Sequence, residues 1–295
     1  MAPYHRIYRI ALVLLLAAVA HAITNQGNHV LLASDNIVSY TEAIRVNPSD
    51  VEAYLGRGNA YAEKGKYDRA IEDYSQAIRL KPDNVWAHKG RGLAYGKKGF
   101  YDRAIEDYSQ VIRLDPNYVS AYFNRGLAYE KRGKRDKAIK DFTEAIRLDP
   151  NYVSAYQQRG YAYSKKFEYD KAIEDYSQII RLDPNNALAY RSRGFTYYKN
   201  GEFDKAIEDW TEAIRLNPSD ARVYSSRGFA YHFKDEYDKA IEDYTKVIQL
   251  KPNWAWAYRR RGNAYSKKGD LQKANTDYDK AKSLNPDFYE RNSPQ

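Results

Sequence analysis

The chain has 295 residues, of which 43% are hydrophobic and 29% are charged, and it contains no cysteine. The missing cysteine excludes a disulfide-stapled fold, a thiol enzyme and a cysteine-ligated metal site. A mean hydropathy of -0.82 excludes a polytopic membrane protein, while 30 Tyr, 9 Phe and 4 Trp are too many aromatic residues for a disordered chain. The net charge of +9 favours an anionic partner and says nothing about the fold.

The first predicted element is a signal peptide over residues 1–22. Two arginines precede an unbroken apolar run over residues 10–20, and Ala20-His21-Ala22 has the small-x-small pattern of a signal peptidase site. The run is shorter than the roughly 20 apolar residues that span a bilayer. Cleavage after Ala22 and export, to the periplasm or out of the cell, are therefore expected. An uncleaved membrane anchor is the alternative.

Residues 23–50 are predicted to be a leader that contains one helix, within residues 31–50. The apolar residues of this helix match residues 34 positions later: Ile37, Tyr40, Ala43 and Ile44 correspond to Ile71, Tyr74, Ala77 and Ile78. The helix is therefore interpreted as the second half of an incomplete repeat that covers the N-terminal end.

A 34-residue period runs through the rest of the chain. It is marked by eight prolines, namely Pro48, Pro82, Pro116, Pro150, Pro184, Pro218, Pro252 and Pro286. Seven glycines, seven tyrosines and seven alanines follow the same period. A fixed period of this length indicates stacked repeats. Seven repeats are predicted at 51–84, 85–118, 119–152, 153–186, 187–220, 221–254 and 255–288, followed by a tail over residues 289–295.

Each repeat is predicted to contain two amphipathic helices, because its apolar and small residues recur at spacings of three and four. In five repeats a glycine stands where the first helix must end and the chain must reverse. Phe167 and Asp235 replace it in repeats 4 and 6, so these two turns are predicted to be altered or strained. One helix pair cannot cover its own apolar stripes, so pairs must stack. The predicted fold is all-α, a helix-turn-helix repeat solenoid.

A 34-residue helix-turn-helix with residues such as Gly58, Tyr61, Ala70 and Pro82 at these offsets, repeated seven times, resembles the tetratricopeptide repeat family. The resemblance implies a right-handed superhelix. It also implies a concave groove, lined mainly by the first helix of each repeat, that holds an extended peptide or a partner helix. One departure is systematic, because the family's usual leucine before the glycine is here Arg57, Arg91, Arg125, Arg159, Arg193, Arg227 and Arg261.

These seven arginines allow two interpretations. They could form a track for an anionic ligand, or they could pair with seven aspartates that lie in register on the second helices. The aspartates are Asp73, Asp107, Asp141, Asp175, Asp209, Asp243 and Asp277. The matching register favours structural pairs, because an arginine can bury its stem and satisfy its fork on a carboxylate.

The predicted partner-binding residues lie at groove positions implied by the resemblance, or in a lysine stripe near the ends of the first helices. Most of these positions vary between repeats while the framework does not, as expected of a binding surface on a constant scaffold. The set is Trp86, Lys89, Lys97, Phe123, Lys131, Tyr161, Lys165, Arg191, Phe195, Tyr198, Lys199, Arg222, Phe229, Phe233, Trp256 and Arg259. For the aromatic residues the alternative is packing between helices, and for the lysines it is a solvated helix C-terminus that complements the dipole.

No catalytic, cofactor or metal site is predicted, and no cofactor or small-molecule substrate is expected. The five histidines are isolated, no pair has ligand or triad spacing, and no phosphate loop or dinucleotide fingerprint occurs. The carboxylates recur with the repeat, so they belong to the scaffold. The sequence therefore predicts that the protein is not an enzyme.

Two more specific binding functions are not favoured. One subtype of the resembled family grips a C-terminal carboxylate with a lysine and an asparagine four residues apart, but Leu93 follows Lys89 and Leu55 precedes Asn59 at that spacing. Repeat arrays can read RNA one base per repeat, and the predicted export argues against that reading.

The favoured function is a non-catalytic protein-protein interaction scaffold that binds an extended, acidic peptide or a partner helix in its groove. The alternative is a self-assembling structural or spacer protein of the cell envelope, which would form homo-oligomers.

Overall fold

The computed structural model describes residues 33–285. The predicted signal peptide over residues 1–22 and the predicted tail over residues 289–295 lie outside this range. Within it the structure has fifteen α-helices and no β-strand. No helix in the described range is long and apolar enough to cross a bilayer.

The chain divides into two units, residues 1–141 and 142–295. The helices that begin in the first unit are Ala33–Val46, Val51–Glu63, Tyr67–Leu80, Val85–Lys97, Tyr101–Leu114, Val119–Lys131 and Arg135–Leu148. Those of the second unit are Val153–Lys165, Tyr169–Leu182, Ala187–Lys199, Phe203–Leu216, Ala221–Phe233, Tyr237–Leu250, Ala255–Lys267 and Leu271–Leu284. The predicted all-α fold of helix-turn-helix repeats is confirmed.

Successive helices pack on one another within each unit. A first helix contacts the second helix of its own repeat, and that second helix contacts the first helix of the next repeat. First helices of consecutive repeats also touch directly, as Val51–Glu63 touches Val85–Lys97. In the first unit the leader helix Ala33–Val46 packs on Val51–Glu63 in the place of a preceding second helix. First helices therefore share one face of each unit.

One large ring in each second helix sets the distance between the two helices of a repeat. In the second unit, Tyr176, Trp210 and Tyr244 at this position are 3% exposed or less. Each ring lies against the backbone of the first helix, and a Cβ atom added to Gly194 would come within 2.9 Å of Trp210. Glycine is therefore required there because the ring occupies the space of a side chain.

The turns between the two helices of a repeat have one conformation. Gly65, Gly99, Gly133, Gly201 and Gly269 have φ values between 69° and 83°, and Phe167 and Asp235 have φ values of 63° and 59°. The hydrogen bond that closes the turn is kept, since Glu168 N–H donates to the Tyr163 carbonyl at 3.0 Å. These two turns thus have the same conformation as the glycine turns. They are strained, because a side chain at positive φ crowds the backbone.

Each of the seven predicted arginine-aspartate pairs forms, with two parallel hydrogen bonds. Arginine Nε and Nη2 donate to the two carboxylate oxygens over 2.6–3.0 Å. The aspartate side chains are 3–7% exposed. Burial raises the pKa of Asp175 and the hydrogen bonds from Arg159 oppose that shift, so its charge depends on the arginine. The pairing hypothesis is confirmed. Because all seven arginines are paired, none of them is left for the alternative, a track for an anionic ligand.

A third hydrogen bond from each arginine reaches the preceding second helix. Nη1 donates over 2.9–3.2 Å to a hydroxyl located 16 residues earlier in the chain. The acceptors are Thr41, Ser75, Ser109, Thr143, Ser177, Thr211 and Thr245. Each arginine therefore joins three consecutive helices.

We expect the Arg159→Met and Asp175→Asn changes to be strongly non-additive. Each single change leaves a buried partner unpaired and should lower the free energy of unfolding by about 3–5 kcal/mol. The double variant should lose clearly less than the sum of the two losses. Urea unfolding of all four proteins measures the cycle, and two independent, additive losses would contradict the pairing.

Phe167→Gly should raise the free energy of unfolding by about 1 kcal/mol, because it removes the Cβ atom that crowds the left-handed turn. Phe167→Ala is the matched control, since it removes the exposed ring and keeps the Cβ atom. Thermal unfolding compares the two variants with the unchanged protein. Equal effects of Gly and Ala would show that the ring, and not the backbone conformation, decides the stability of this turn.

Candidate functional site

A groove with a volume of about 1090 Å³ lies on the first-helix face of the first unit. Residues from Ala33–Val46, which include Tyr40, and from Val51–Glu63 and Val85–Lys97 line it, together with Tyr74 from Tyr67–Leu80. The rings of Tyr40 and Tyr74 lie close to glycines of the first helices, and a Cβ atom on Gly56 would come within 2.3 Å of the Tyr40 ring.

Three predicted partner-binding residues meet in this groove, namely Trp86, Lys89 and Lys97. Trp86 is 61% exposed, and the Lys89 ammonium lies 4.9 Å from the centre of its ring. Phe123 is half-buried and Lys131 is exposed, and neither lines the groove. The groove thus presents an aromatic surface with cations beside it. It also contains the acidic residues Asp50, Glu52 and Glu63, so its charge is mixed.

The second unit gathers predicted aromatic residues into a cluster. The Tyr198 ring lies 5.9 Å from Phe229 and 6.0 Å from Trp210, and Phe229 lies 4.8 Å from Phe233. Tyr198 and Phe229 are half-buried, whereas Phe233 is exposed. These residues therefore pack between helices and still present ring surface to solvent.

Two other predicted aromatic residues stand apart, each with a lysine four positions later on the same helix. The Lys165 ammonium lies 5.3 Å from the centre of the Tyr161 ring, and that of Lys199 lies 5.5 Å from the Phe195 ring. Both rings are exposed. Each pair presents an aromatic edge and a cation side by side.

The predicted arginines are placed differently from one another. Arg191 donates to Asp220 at 2.7 Å and Arg222 donates to the same carboxylate at 3.3 Å. Burial alone would raise the pKa of Asp220, but these hydrogen bonds lower it below the usual value. Arg222 also lines a pocket of about 850 Å³ with Trp254, and Arg259 is half-buried. Arg191 is therefore partly engaged within the protein.

The predicted lysine stripe is distinct from the basic series next to it in the sequence. Within residues 33–285, Lys97, Lys131, Lys165 and Lys199 form no ion pair. The neighbouring basic residues pair with an aspartate near the start of the preceding second helix, in the pairs Lys98 with Asp68, Arg132 with Asp102, Lys234 with Asp204 and Lys268 with Asp238. The neighbouring series is thus structural, and the lysines of the predicted stripe are exposed and have no ionic partner.

Sequence reasoning missed Arg260. Its guanidinium carbon lies 4.7 Å from the centre of the Phe229 ring and 5.0 Å from that of Trp256. The equivalent residues in the other repeats are Gly56, Gly90, Asn124, Gln158, Ser192 and Ser226. The signal available in the sequence was a single arginine at a position that is uncharged in the other six repeats.

No cluster of histidine and acidic side chains suited to a metal ion occurs between residues 33 and 285.

Family models match the chain from residue 39 to residue 288. A TPR repeat model matches residues 58–99, 97–133, 168–201 and 196–235. Two tetratricopeptide repeat models match residues 119–152, 221–253 and 255–288, and residues 39–72 and 142–174. No curated protein matches the chain.

The chain is similar to several solved structures. MamA is 30% identical over 60% of this chain and 97% of its own, with a TM-score of 0.55. YrrB, described as a TPR protein with an unusual peptide-binding site, is 24% identical over 66% of this chain and 97% of its own, with a TM-score of 0.57. The C-terminal part of a TPR repeat-containing protein from Cytophaga hutchinsonii is 20% identical over 79% of this chain and 96% of its own, with a TM-score of 0.71. The last two show the fold alone.

The family models cover most of the described residues, and the helix pairs with their positive-φ turns have the architecture that these models describe. The chain belongs to the tetratricopeptide repeat family.

Proposed function

We propose that this protein is a non-catalytic protein-protein interaction scaffold that binds an extended, acidic segment along its first helices. The observation that supports it most directly is that the constant and the variable residues of a repeat have different roles. Residues that recur in every repeat form the packing and hydrogen-bond contacts within and between helix pairs. Several large apolar residues at variable first-helix positions remain exposed.

The exposed aromatic residues on the first helices are unusual for a solvent-facing surface. Trp86 is 61% exposed, Phe233 58%, Phe195 48% and Tyr161 44%. Large rings in contact with water are costly, and aromatic residues are the anchors that dominate interface energies. Their position on the shared first-helix face supports one continuous binding surface within each unit.

The charges of the second unit favour an acidic partner. Its four first helices contain no aspartate and no glutamate. Outside the seven in-register arginine-aspartate pairs, they contain the basic residues Lys165, Arg191, Lys199, Arg222, Arg259, Arg260 and Lys267, of which Arg191 and Arg222 bond to Asp220. A surface of one sign attracts a partner of the other sign and steers its approach.

The comparisons support the general class of this function. The family is generally non-catalytic, and the similar protein YrrB is described as having a peptide-binding site. The location is also part of the proposal. The signal peptide predicted at residues 1–22 would place the scaffold in the periplasm or outside the cell, where its partner would be an exported or envelope protein.

Changing Lys97, Lys131, Lys165 and Lys199 to Glu should abolish partner binding, because the exposed stripe would then repel an acidic segment. A matched control changes Lys137, Lys171, Lys205 and Lys239, which lie in register on the second helices, to Glu. The control has the same net charge and disturbs only exposed contacts of small energy. Crosslinked pull-downs from separated envelope and soluble fractions of the native host compare the two variants with the unchanged protein.

An envelope or exported protein that is recovered with the unchanged protein and the control, and lost with the stripe variant, is the expected result. Recovery of the chain alone would favour the self-assembling spacer. Cytosolic partners that are insensitive to both changes would contradict the predicted export, and nuclease-sensitive recovery would favour RNA.

A further inference from the structure

Arg260 differs from the seven arginines of the arginine-aspartate pairs in having no anionic partner within residues 33–285. It lies on Ala255–Lys267 between the rings of Phe229 and Trp256, and within residues 33–285 its guanidinium forms no hydrogen bond and no ion pair. The adjacent Arg261 forms two hydrogen bonds to Asp277 and one to Thr245. Two consecutive arginines are thus placed in opposite chemical situations.

The two environments shift the pKa of these arginines in opposite directions. Hydrogen bonding to Asp277 raises the pKa of Arg261. Burial lowers the pKa of Arg260, because no carboxylate compensates for the lost water. A half-buried guanidinium without a carboxylate partner keeps a desolvation cost that an incoming anion can offset.

A second unpartnered group lies next to the same ring. Tyr244 is fully buried, its ring lies 5.9 Å from that of Trp256, and its hydroxyl has no hydrogen-bond partner. The equivalent tyrosines of repeats 1 and 7 donate to an asparagine, Tyr74 to Asn59 at 2.7 Å and Tyr278 to Asn263 at 3.0 Å.

Phe229 stands at that asparagine position in repeat 6. The residue that would have satisfied the Tyr244 hydroxyl is therefore replaced by a ring that contacts the Arg260 guanidinium. Buried hydroxyls are almost always paired in native proteins, so this one needs a water or a ligand as its partner.

A third unpaired polar atom belongs to repeat 6. His232 Nδ1 is buried without a partner. Burial lowers the pKa of His232, and the charges of Arg260 and Lys267 lower it further, whereas Asp235 opposes them. The charge of Arg260 also opposes the rise that burial causes in the pKa values of Tyr198 and Tyr244. Arg260 and Tyr244 also lie against the same ring, that of Trp256.

We propose that Arg260 anchors the side-chain carboxylate of an acidic residue in the bound segment, and that the Tyr244 hydroxyl, which is enclosed in the unliganded chain, becomes a further donor when the segment displaces the packing around it. The site rests on the proposed function, since the carboxylate belongs to the segment held by the first helices. A planar guanidinium matches a planar carboxylate with two hydrogen bonds, and a hydroxyl can supply a third. No acidic side chain on the four first helices of the second unit competes for Arg260.

The aromatic walls of the site strengthen this recognition. The rings of Phe229 and Trp256 lie against the guanidinium and lower the local dielectric constant, so an ionic hydrogen bond made there is stronger than one made at an exposed lysine. One guanidinium with one hydroxyl suits a singly charged carboxylate better than a phosphate dianion, which takes more donors.

An array of short acetylated and amidated peptides tests the site. The peptides come in matched sets that differ only at a central glutamate, glutamine or phosphoserine, with a further version of each glutamine peptide that has a free C-terminal carboxylate. The full chain is compared with R260Q and with the control R215Q, which removes an exposed arginine of a second helix. We expect the unchanged protein and R215Q to bind glutamate peptides at least about tenfold more tightly than glutamine peptides, and R260Q to lose this preference.

Other outcomes overturn the site. Equal binding of glutamate and glutamine peptides, or a glutamate preference that survives in R260Q, removes the anchor and leaves the proposed scaffold function intact, because peptides still bind. A preference for phosphoserine or for the free C-terminus would assign a different anion to Arg260. Failure of every peptide to bind would overturn both the site and the proposed function.

The thermal midpoint of unfolding distinguishes an arginine that binds a ligand from one that only packs in the structure. R260Q removes an unpaired, half-buried charge and Y244F removes a buried hydroxyl without a partner, so neither should lower the thermal midpoint of the unliganded protein. Y244F should also weaken the glutamate preference. A marked fall in the midpoint of R260Q together with an unchanged glutamate preference would make Arg260 a packing residue and overturn the proposal.

Discussion

A buried arginine that joins three helices is the interaction on which the rest of this structure depends. In each repeat the guanidinium is bonded to an aspartate of its own second helix and to a hydroxyl of the second helix before it. Because an isolated charge in this position would be very costly, the three helices must be correctly placed before the arginine can be buried. The contact therefore ties each repeat to its neighbour as well as holding it together.

This constraint explains which residues are constant and which vary. The arginine, its aspartate, the hydroxyl and the large ring of the second helix must recur because each contacts the others or the helix backbone in a fixed geometry. Positions on the outward surface of the first helices have no such requirement. Exposed residues such as Trp86, Tyr161 and Phe195 stand at these positions. The departures from the repeat, at Phe167, Asp235 and Arg260, are then the places where strain or an unpaired charge enters a regular framework.

The regular part of this framework could be predicted from sequence because it is periodic. The 34-residue spacing gave the helix pairs, the arginine-aspartate pairs and the two irregular turns. The hydroxyl contact was missed although Thr41, Ser75 and their equivalents lie in register, because the acceptor belongs to the preceding repeat and a small hydroxyl has many other uses on a helix. The third partner of each arginine is therefore visible only in the packed structure.

The candidate site could be predicted less well because it depends on residues that do not repeat. Phe195 and Phe229 occupy the same position in repeats 5 and 6, yet only Phe195 is exposed, since Phe229 packs against Tyr198, Phe233 and Arg260. Which aromatic residues face solvent is thus decided by the neighbours that each one meets. Arg260 itself has no periodic counterpart, and only its unpaired geometry distinguishes it from a solvated arginine.

Site-specific photocrosslinking tests most directly the central claim that the first-helix face is the binding surface. A photoreactive benzoylphenylalanine would replace Phe195 on a first helix in one variant, and the exposed Glu174 on a second helix in another, both in the native host. We predict that the Phe195 position crosslinks to one protein other than this chain and that the Glu174 position does not. Crosslinks to that protein from Glu174 alone, or to another copy of this chain from Phe195, would contradict it.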